Sequence, residues 1–171
     1  MTEGERQAFL DAAMKAAEEA GHPWAEYAAC EAALESNWGR SMLARKANNL
    51  LGQKQGSKFP LPYPCCNLQT EEVRPQGHPG QGRPLTGGRV MEQAVWPVFP
   101  DWKTCFAERM ALLKRLPSRY GAALAATSGE EFVRQVSLSW ATDPERGGKV
   151  LAIHRQYFEQ PPEIVGSLEL T

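Results

Sequence analysis

A chain of 171 residues suits one domain with its own hydrophobic core. With 19 Lys and Arg against 20 Asp and Glu the formal net charge is -1, which excludes a protein built around polyanion binding, so no nucleic-acid partner is expected. Hydrophobic residues make up 42% and charged residues 23%, an ordinary globular balance, and no apolar run approaches the roughly 20 residues of a membrane span.

In chain order, Thr2-x-x-Glu5 is a capping box for a first helix reaching about Ala20, where Gly21-His22-Pro23 breaks it. Met1 to Arg6 lacks the basic start and apolar stretch of a secretory leader. The expectation is a cytosolic protein, or one that leaves by a route reading no such peptide. A second helix carries Trp24, Tyr27, Cys30 and Leu34 on one stripe and is expected to end near Trp38, with Gly39 as its cap. A short helix over Ser41 to Ala47 follows.

From about residue 55 to 100 the chain is crowded with Pro and Gly, which forbids long helices. Asn67–Val73 and Arg89–Phe99 alternate as a hairpin would, so this zone is expected to form a small β lobe. Beyond it, Asp101 caps a helix bearing Trp102, Cys105, Phe106, Met110, Leu113 and Leu116. Ser128-Gly-Glu-Glu131 is a second capping box, ahead of Phe132, Val133, Val136 and Trp140. Asp143-Pro144 reads as an N-cap and first helical residue, for a helix with Val150, Leu151, His154, Tyr157 and Phe158 on one stripe. Residues 160–171 read as an extended or disordered tail after a single domain over 1–159. The sum is an α+β fold, a mainly helical body with a small β-hairpin lobe and a cleft at their junction.

Cys30 and Cys105 fall within helical patterns and are expected to pack as small apolar groups. Cys65, Cys66 and His78 fit no standard zinc spacing, so no metal is expected. His154, on an apolar stripe, reads as a packed histidine, and His22 and His78 sit beside prolines in turns.

Glu35 falls at the C-terminal end of the second helix, the negative pole of the helix dipole. That position and a desolvating neighbour such as Trp38 are expected to raise its pKa. A carboxylic acid kept protonated near neutral pH is what glycosidic cleavage requires. Ala33-Leu-Glu-Ser-Asn-Trp-Gly-Arg-Ser41, continuing through Asn48-Asn-Leu-Leu-Gly-Gln-Lys54, resembles the bacterial endo-β-N-acetylglucosaminidases (glycoside hydrolase family 73), which include autolysins and flagellar muralytic domains. Val95-Trp-Pro-Val-Phe-Pro-Asp-Trp102 and Trp140-Ala-Thr-Asp-Pro144 are similar to two further blocks of that family, in the same order.

The resemblance implies a lysozyme-like fold with a glycan cleft, Glu35 as catalytic acid, and cleavage of the β-1,4 bond after N-acetylglucosamine in peptidoglycan. No cofactor is implied. The second carboxylate falls on Glu72 within Thr70-Glu71-Glu72-Val73, with Glu71 the alternative and Glu92 a third. Its role would be to orient a water or to stabilise charge at the sugar carbon, unless the substrate's own N-acetyl oxygen assists. Aromatic faces suit pyranose rings. Trp38, Tyr63, Trp96 and Trp102 are the candidates, with Trp102 the one expected in the core. Asn49, Tyr120 and Trp140 complete the expected substrate-binding set. Of Asn48 and Asn49, one is expected to cap a helix and the other to shape the floor beside Glu35.

Leu51 replaces a usual Phe of the family, Val73 an aromatic and Arg146 a frequent Tyr, whose place Tyr120 or Tyr157 would have to fill. They motivate an alternative, a catalytically impaired glycan-binding or assembly module; a lytic transglycosylase or muramidase is a further one. The expected partner is the glycan strand, met by a monomer acting on the cell wall. The settings that fit are phage lysis, a flagellum, or delivery by a dedicated machine.

Overall fold

A computed structural model describes residues 1–73, 83–84 and 89–159, with backbone alone described at 70–73, 83–84, 89–90 and 92. His78 and the expected tail at 160–171 lie outside the described residues. The elements are α1 (Glu3–Glu19), α2 (Ala25–Glu35), α3 (Met42–Ala47), β1 (Cys65–Val73), β2 (Arg83–Pro84), β3 (Arg89–Pro97), α4 (Trp102–Arg115), α5 (Pro117–Leu124), α6 (Gly129–Trp140) and α7 (Arg146–Phe158).

Helix α2 is the pivot of the body, packed by α1, α6 and α7. Its run from Ala28 to Ala33 is buried at every position, so the helix meets protein on all sides. Alanine is the residue that permits this, with high helix propensity and no bulk to hold neighbours apart. Around it stand Leu10 of α1, Phe106 and Leu113 of α4, Phe132, Val133 and Val136 of α6, and Val150 and Leu151 of α7, all buried. Cys30 and Cys105 are buried free thiols in this core, their pKa values pushed up by burial to about 12 and about 11. Among the described residues no helix is long and apolar enough to cross a membrane.

Several helix starts follow from their caps. Thr2 accepts from the Glu5 amide while Glu5 accepts from the Thr2 amide, both halves of a capping box. Asp101 accepts from the Thr104 amide. Ser128 accepts from the Glu131 amide, but the Glu131 carboxylate reaches one residue further back than expected, to Thr127 N–H.

Three helix boundaries differ from expectation. Helix α2 ends at Glu35 rather than near Trp38, because Ser36 Oγ donates to Ala32 O and accepts from Gly39 N–H, folding the chain back. Asn37, Trp38 and Gly39 consequently hold φ of 50°, 57° and 73°, a left-handed turn that only Gly39 takes without strain. A Cβ on Gly39 would sit 2.9 Å from the Phe9 ring. Leu116 does not continue α4: Pro117 opens a separate helix, α5, at its first turn. Helix α7 begins at Arg146 rather than Pro144, since Asp143 spends its carboxylate on Glu145 N–H and Lys149 Nζ.

Strands β1 and β3 pair antiparallel from Cys65↔Pro97 to Val73↔Arg89, and β2 adds to the other edge of β3. This is the expected lobe. It is tied to the body by Phe99 N–H to Ala47 O, and Val98 N–H to Pro64 O closes the base of the hairpin. Asn48 takes the left-handed C-cap of α3 and donates to Phe99 O, joining the two halves at one residue.

Candidate active site

A cleft of about 670 Å³ runs between body and lobe, with Glu35, Leu51, Gln53, Trp96, Tyr120 and Trp140 among its lining residues. Each wall is fixed locally. Trp140, at the end of α6, donates its indole N–H to Leu51 O at 2.9 Å, closing one wall onto the loop after α3. Tyr120 of α5 donates its hydroxyl to Ser139 O at 3.3 Å. Trp96 of β3 donates to Leu68 O across the hairpin. Asn49 is buried and clamps the loop from both sides, donating to Gln53 O and accepting from Gln53 N–H. Asn48 is thus the cap, while Asn49 holds the loop that brings Gln53 to the cleft.

Beneath the cleft lies a charged ladder. Glu31, in the middle of the alanine run, takes a forked pair of bonds from Arg109 at 2.9 and 2.8 Å. Arg146 donates to Glu31 Oε1 at 3.0 Å, to Ser137 Oγ at 2.8 Å and, through Nε, to Glu35 Oε1 at 2.5 Å. Glu31 and Arg109 are wholly buried and Arg146 is 1% exposed, whereas the Glu35 side chain is 22% exposed at the cleft surface. Burial alone would raise the Glu31 carboxyl; Arg109 and Arg146 outweigh it and hold the group at about 2. Burial would likewise depress Arg146, yet the Glu31 and Glu35 carboxylates hold its pKa above the usual value.

The expected residues therefore divide. Glu35, Trp96, Tyr120 and Trp140 meet in the cleft, with Asn49 buried behind the loop that lines it. Trp38 is not among the residues lining it: its ring packs on Phe9 and Tyr157 under the Arg6 guanidinium. Tyr63 donates to Glu108 and packs edge-on to Phe99, and Trp102 packs on Phe9 at the core. His154 is a packed histidine, stacked on Tyr27 at 3.8 Å. Of the two tyrosines expected to stand in for the one absent at Arg146, Tyr120 lines the cleft and Tyr157 lies against Trp38.

Glu71, Glu72 and Glu92 are described only as backbone, Glu72 pairing with Val90, Glu71 with Met91 and Glu92 with Thr70. Glu31 and Arg109 escaped the sequence reading, although a signal was there. Glu31 interrupts an unbroken small apolar run, and Arg109 stands on the buried stripe of α4, seven residues after Trp102 and four before Leu113.

A helical body, a β-hairpin lobe and a cleft with a helix-terminal glutamate on its floor define a lysozyme-like arrangement. The family model for mannosyl-glycoprotein endo-beta-N-acetylglucosaminidase matches residues 10–159, and the chain belongs to this glucosaminidase family of glycoside hydrolases. It is 29% identical over 153 residues to the peptidoglycan hydrolase FlgJ of Pseudomonas aeruginosa strain PAO1, covering 86% of this chain and 35% of that protein. It is 28% identical over 157 residues to the exo-glucosaminidase LytG of Bacillus subtilis strain 168, covering 90% of this chain and 52% of the relative. The chain thus spans about a third to a half of these relatives. The crystal structure of the catalytic domain of the Listeria monocytogenes autolysin Auto shares the fold with a TM-score of 0.69 at 22% identity, over 92% of this chain and 86% of that one. A mutant of the peptidoglycan hydrolase from Sphingomonas sp. A1 does so with a TM-score of 0.67 at 24% identity, over 86% and 91%.

Proposed function

We propose that the chain hydrolyses peptidoglycan at the β-1,4 bond after N-acetylglucosamine, with Glu35 as general acid. The carrying observation is the position of Glu35, the last residue of α2, partly exposed and lining a cleft of about 670 Å³ between body and lobe. Family membership and the names of the relatives support the substrate. Of the three aromatic residues at the cleft, the half-buried Trp140 offers a ring for a sugar face, while Trp96 and Tyr120 are buried and support the walls. Glu72 is the second carboxylate. On β1 it has the parity of Cys66, which pairs with the cleft residue Trp96, whereas Glu71 has the opposite parity. In this reading Glu35 protonates the leaving oxygen and Glu72 orients the attacking water or stabilises the developing positive charge. The site of action is the cell wall.

The contact between Arg146 and Glu35 favours a second reading, a glycan-binding module in which Arg146 occupies an oxygen of that carboxyl. One experiment addresses both. Wild type is expected to release fragments ending in reducing N-acetylglucosamine from purified peptidoglycan, and Glu35→Gln to abolish release while the fold stays intact. Glu72→Gln is expected to lose activity with unchanged thermal stability. Wall binding without turnover would establish the binding module, and anhydromuramic products would make the enzyme a transglycosylase. Activity surviving in Glu35→Gln would remove Glu35 from the chemistry.

A further inference from the structure

We propose that Arg146 is a positioning residue for the reaction, fixing which oxygen of Glu35 carries the proton and receiving the negative charge left when that proton departs. The inference rests on Glu35 being the acid. It starts from charge. Below the cleft, Arg109 and Arg146 face one buried anion, Glu31, so the buried set carries one surplus positive charge, which Glu35 balances when ionised. His22, beside this set, is held neutral near pH 7, its pKa lowered to about 4 by burial and by Arg109. The other charged or titratable groups lining the cleft with Glu35 are Lys54, Arg119 and Tyr120.

Geometry supplies the rest. Arg146 has one guanidinium nitrogen on Glu31, one on Ser137 and one on Glu35, so it cannot turn without losing a buried bond. It binds Glu35 through Oε1. A neutral carboxyl accepts through its carbonyl oxygen and donates through its hydroxyl, so the proton belongs on Oε2. When the glycosidic bond breaks, that proton moves from Oε2 to the glycosidic oxygen, which also takes the bonding electron pair. Water adds its oxygen to the sugar carbon and gives up one proton to solvent, and Glu35, left as a carboxylate, takes one proton back from solvent before the next turnover. The Arg146 bond to Oε1 then joins two full charges, and such bonds are about twice as strong as neutral ones. An interaction that strengthens as the proton leaves lowers the barrier rather than tightening substrate binding.

The test uses uncrosslinked peptidoglycan strands, with kcat and KM followed across pH. Arg146→Met is expected to lower kcat on the order of 10²-fold with KM little changed, and to move the alkaline limb of the profile to higher pH. Arg146→Lys is expected to restore part of kcat and bring the limb back, because it returns the charge without the fork. Ser137→Ala keeps the charge and loosens the fork, so it is expected to lower kcat about threefold to tenfold with the limb unmoved; this variant carries the test if Arg146→Met does not fold. A folded Arg146→Met with wild-type kcat and profile, or wild-type kcat in Ser137→Ala, overturns the proposal. An inactive Glu35→Gln beside a normal Arg146→Met removes only the role of Arg146, whereas an active Glu35→Gln removes the acid as well.

Discussion

The two walls of the cleft are built on different physics. The body wall rests on a close-packed helical core with a charged ladder sealed inside it, and every polar contact of Glu31 is to another buried side chain. The lobe wall rests on a hairpin. Trp96 is buried within it, but Val95 beside it is 46% exposed, and Cys65, Asn67 and Gln69 of β1 are exposed too. One wall holds its carboxyl against a cation that three bonds lock in place; the other is a hairpin whose described residues lie in part in water. In the reading proposed above, Glu35 is the acid, and it stands on the wall that is packed throughout. The difference between the walls makes a physical forecast: damage to the body should be global, and damage to the lobe local.

The largest effect is expected at the ladder. Glu31→Ala leaves two buried guanidinium groups facing each other, and breaking a buried pair by removing one partner costs about 3–5 kcal/mol. A fall in denaturation midpoint with an unchanged m-value would show it. The double variant Glu31→Leu with Arg109→Met removes charge from both sides and is expected to recover much of that stability. If Glu31→Ala alone proved neutral, the ladder would not be what makes the body wall rigid.

The same ladder shows what the sequence does and does not reveal. Thr2, Asp101 and Ser128 announce helix starts because a cap is a local event between residues three apart. The paired strands of the lobe are legible through their alternation, and Glu35 through its position at a helix end. The turn after Glu35 is not legible at its true place, because a serine hydroxyl, and not the glycine alone, stops α2. Arg146 reads as a departure from the family pattern, and only the fold reveals that it meets Glu31 and Glu35 across 115 and 111 positions of chain. Long-range pairing leaves no periodicity behind, so its only trace is a charged residue on a stripe that should be apolar, as at Arg109 and Glu31.

A smaller effect is expected with pH. His22 accepts from Trp24 N–H through Nδ1 while its Nε2 is buried without a partner, so protonation finds no acceptor in the fold. Its folded pKa is about 4 against 6.5 for the free group. Between those values the unfolded chain binds more protons, so the stability His22 contributes is complete above pH 6.5 and is lost as pH falls towards 4. The loss amounts to about 3 kcal/mol. His22→Asn keeps an acceptor for Trp24 and removes the titration, so its stability is expected to stay flat over that window. A wild-type slope persisting in the variant would place the acid sensitivity elsewhere in the body.

The smallest effect is expected in the lobe, and it bears most directly on the contrast between the walls. Trp96→Phe keeps an aromatic ring at the cleft and deletes one hydrogen bond, the indole N–H to Leu68 O across the hairpin. A bond of this kind contributes about 1 kcal/mol. Because the strands are half in water, that loss is expected to appear as faster amide exchange along Cys65–Val73 and Arg89–Pro97, with protection in α2 and α4 unchanged. Equal loss of protection in lobe and body would mean that the two walls open as one unit, and the division of labour between a locked acid and a pliant cover would fall with it.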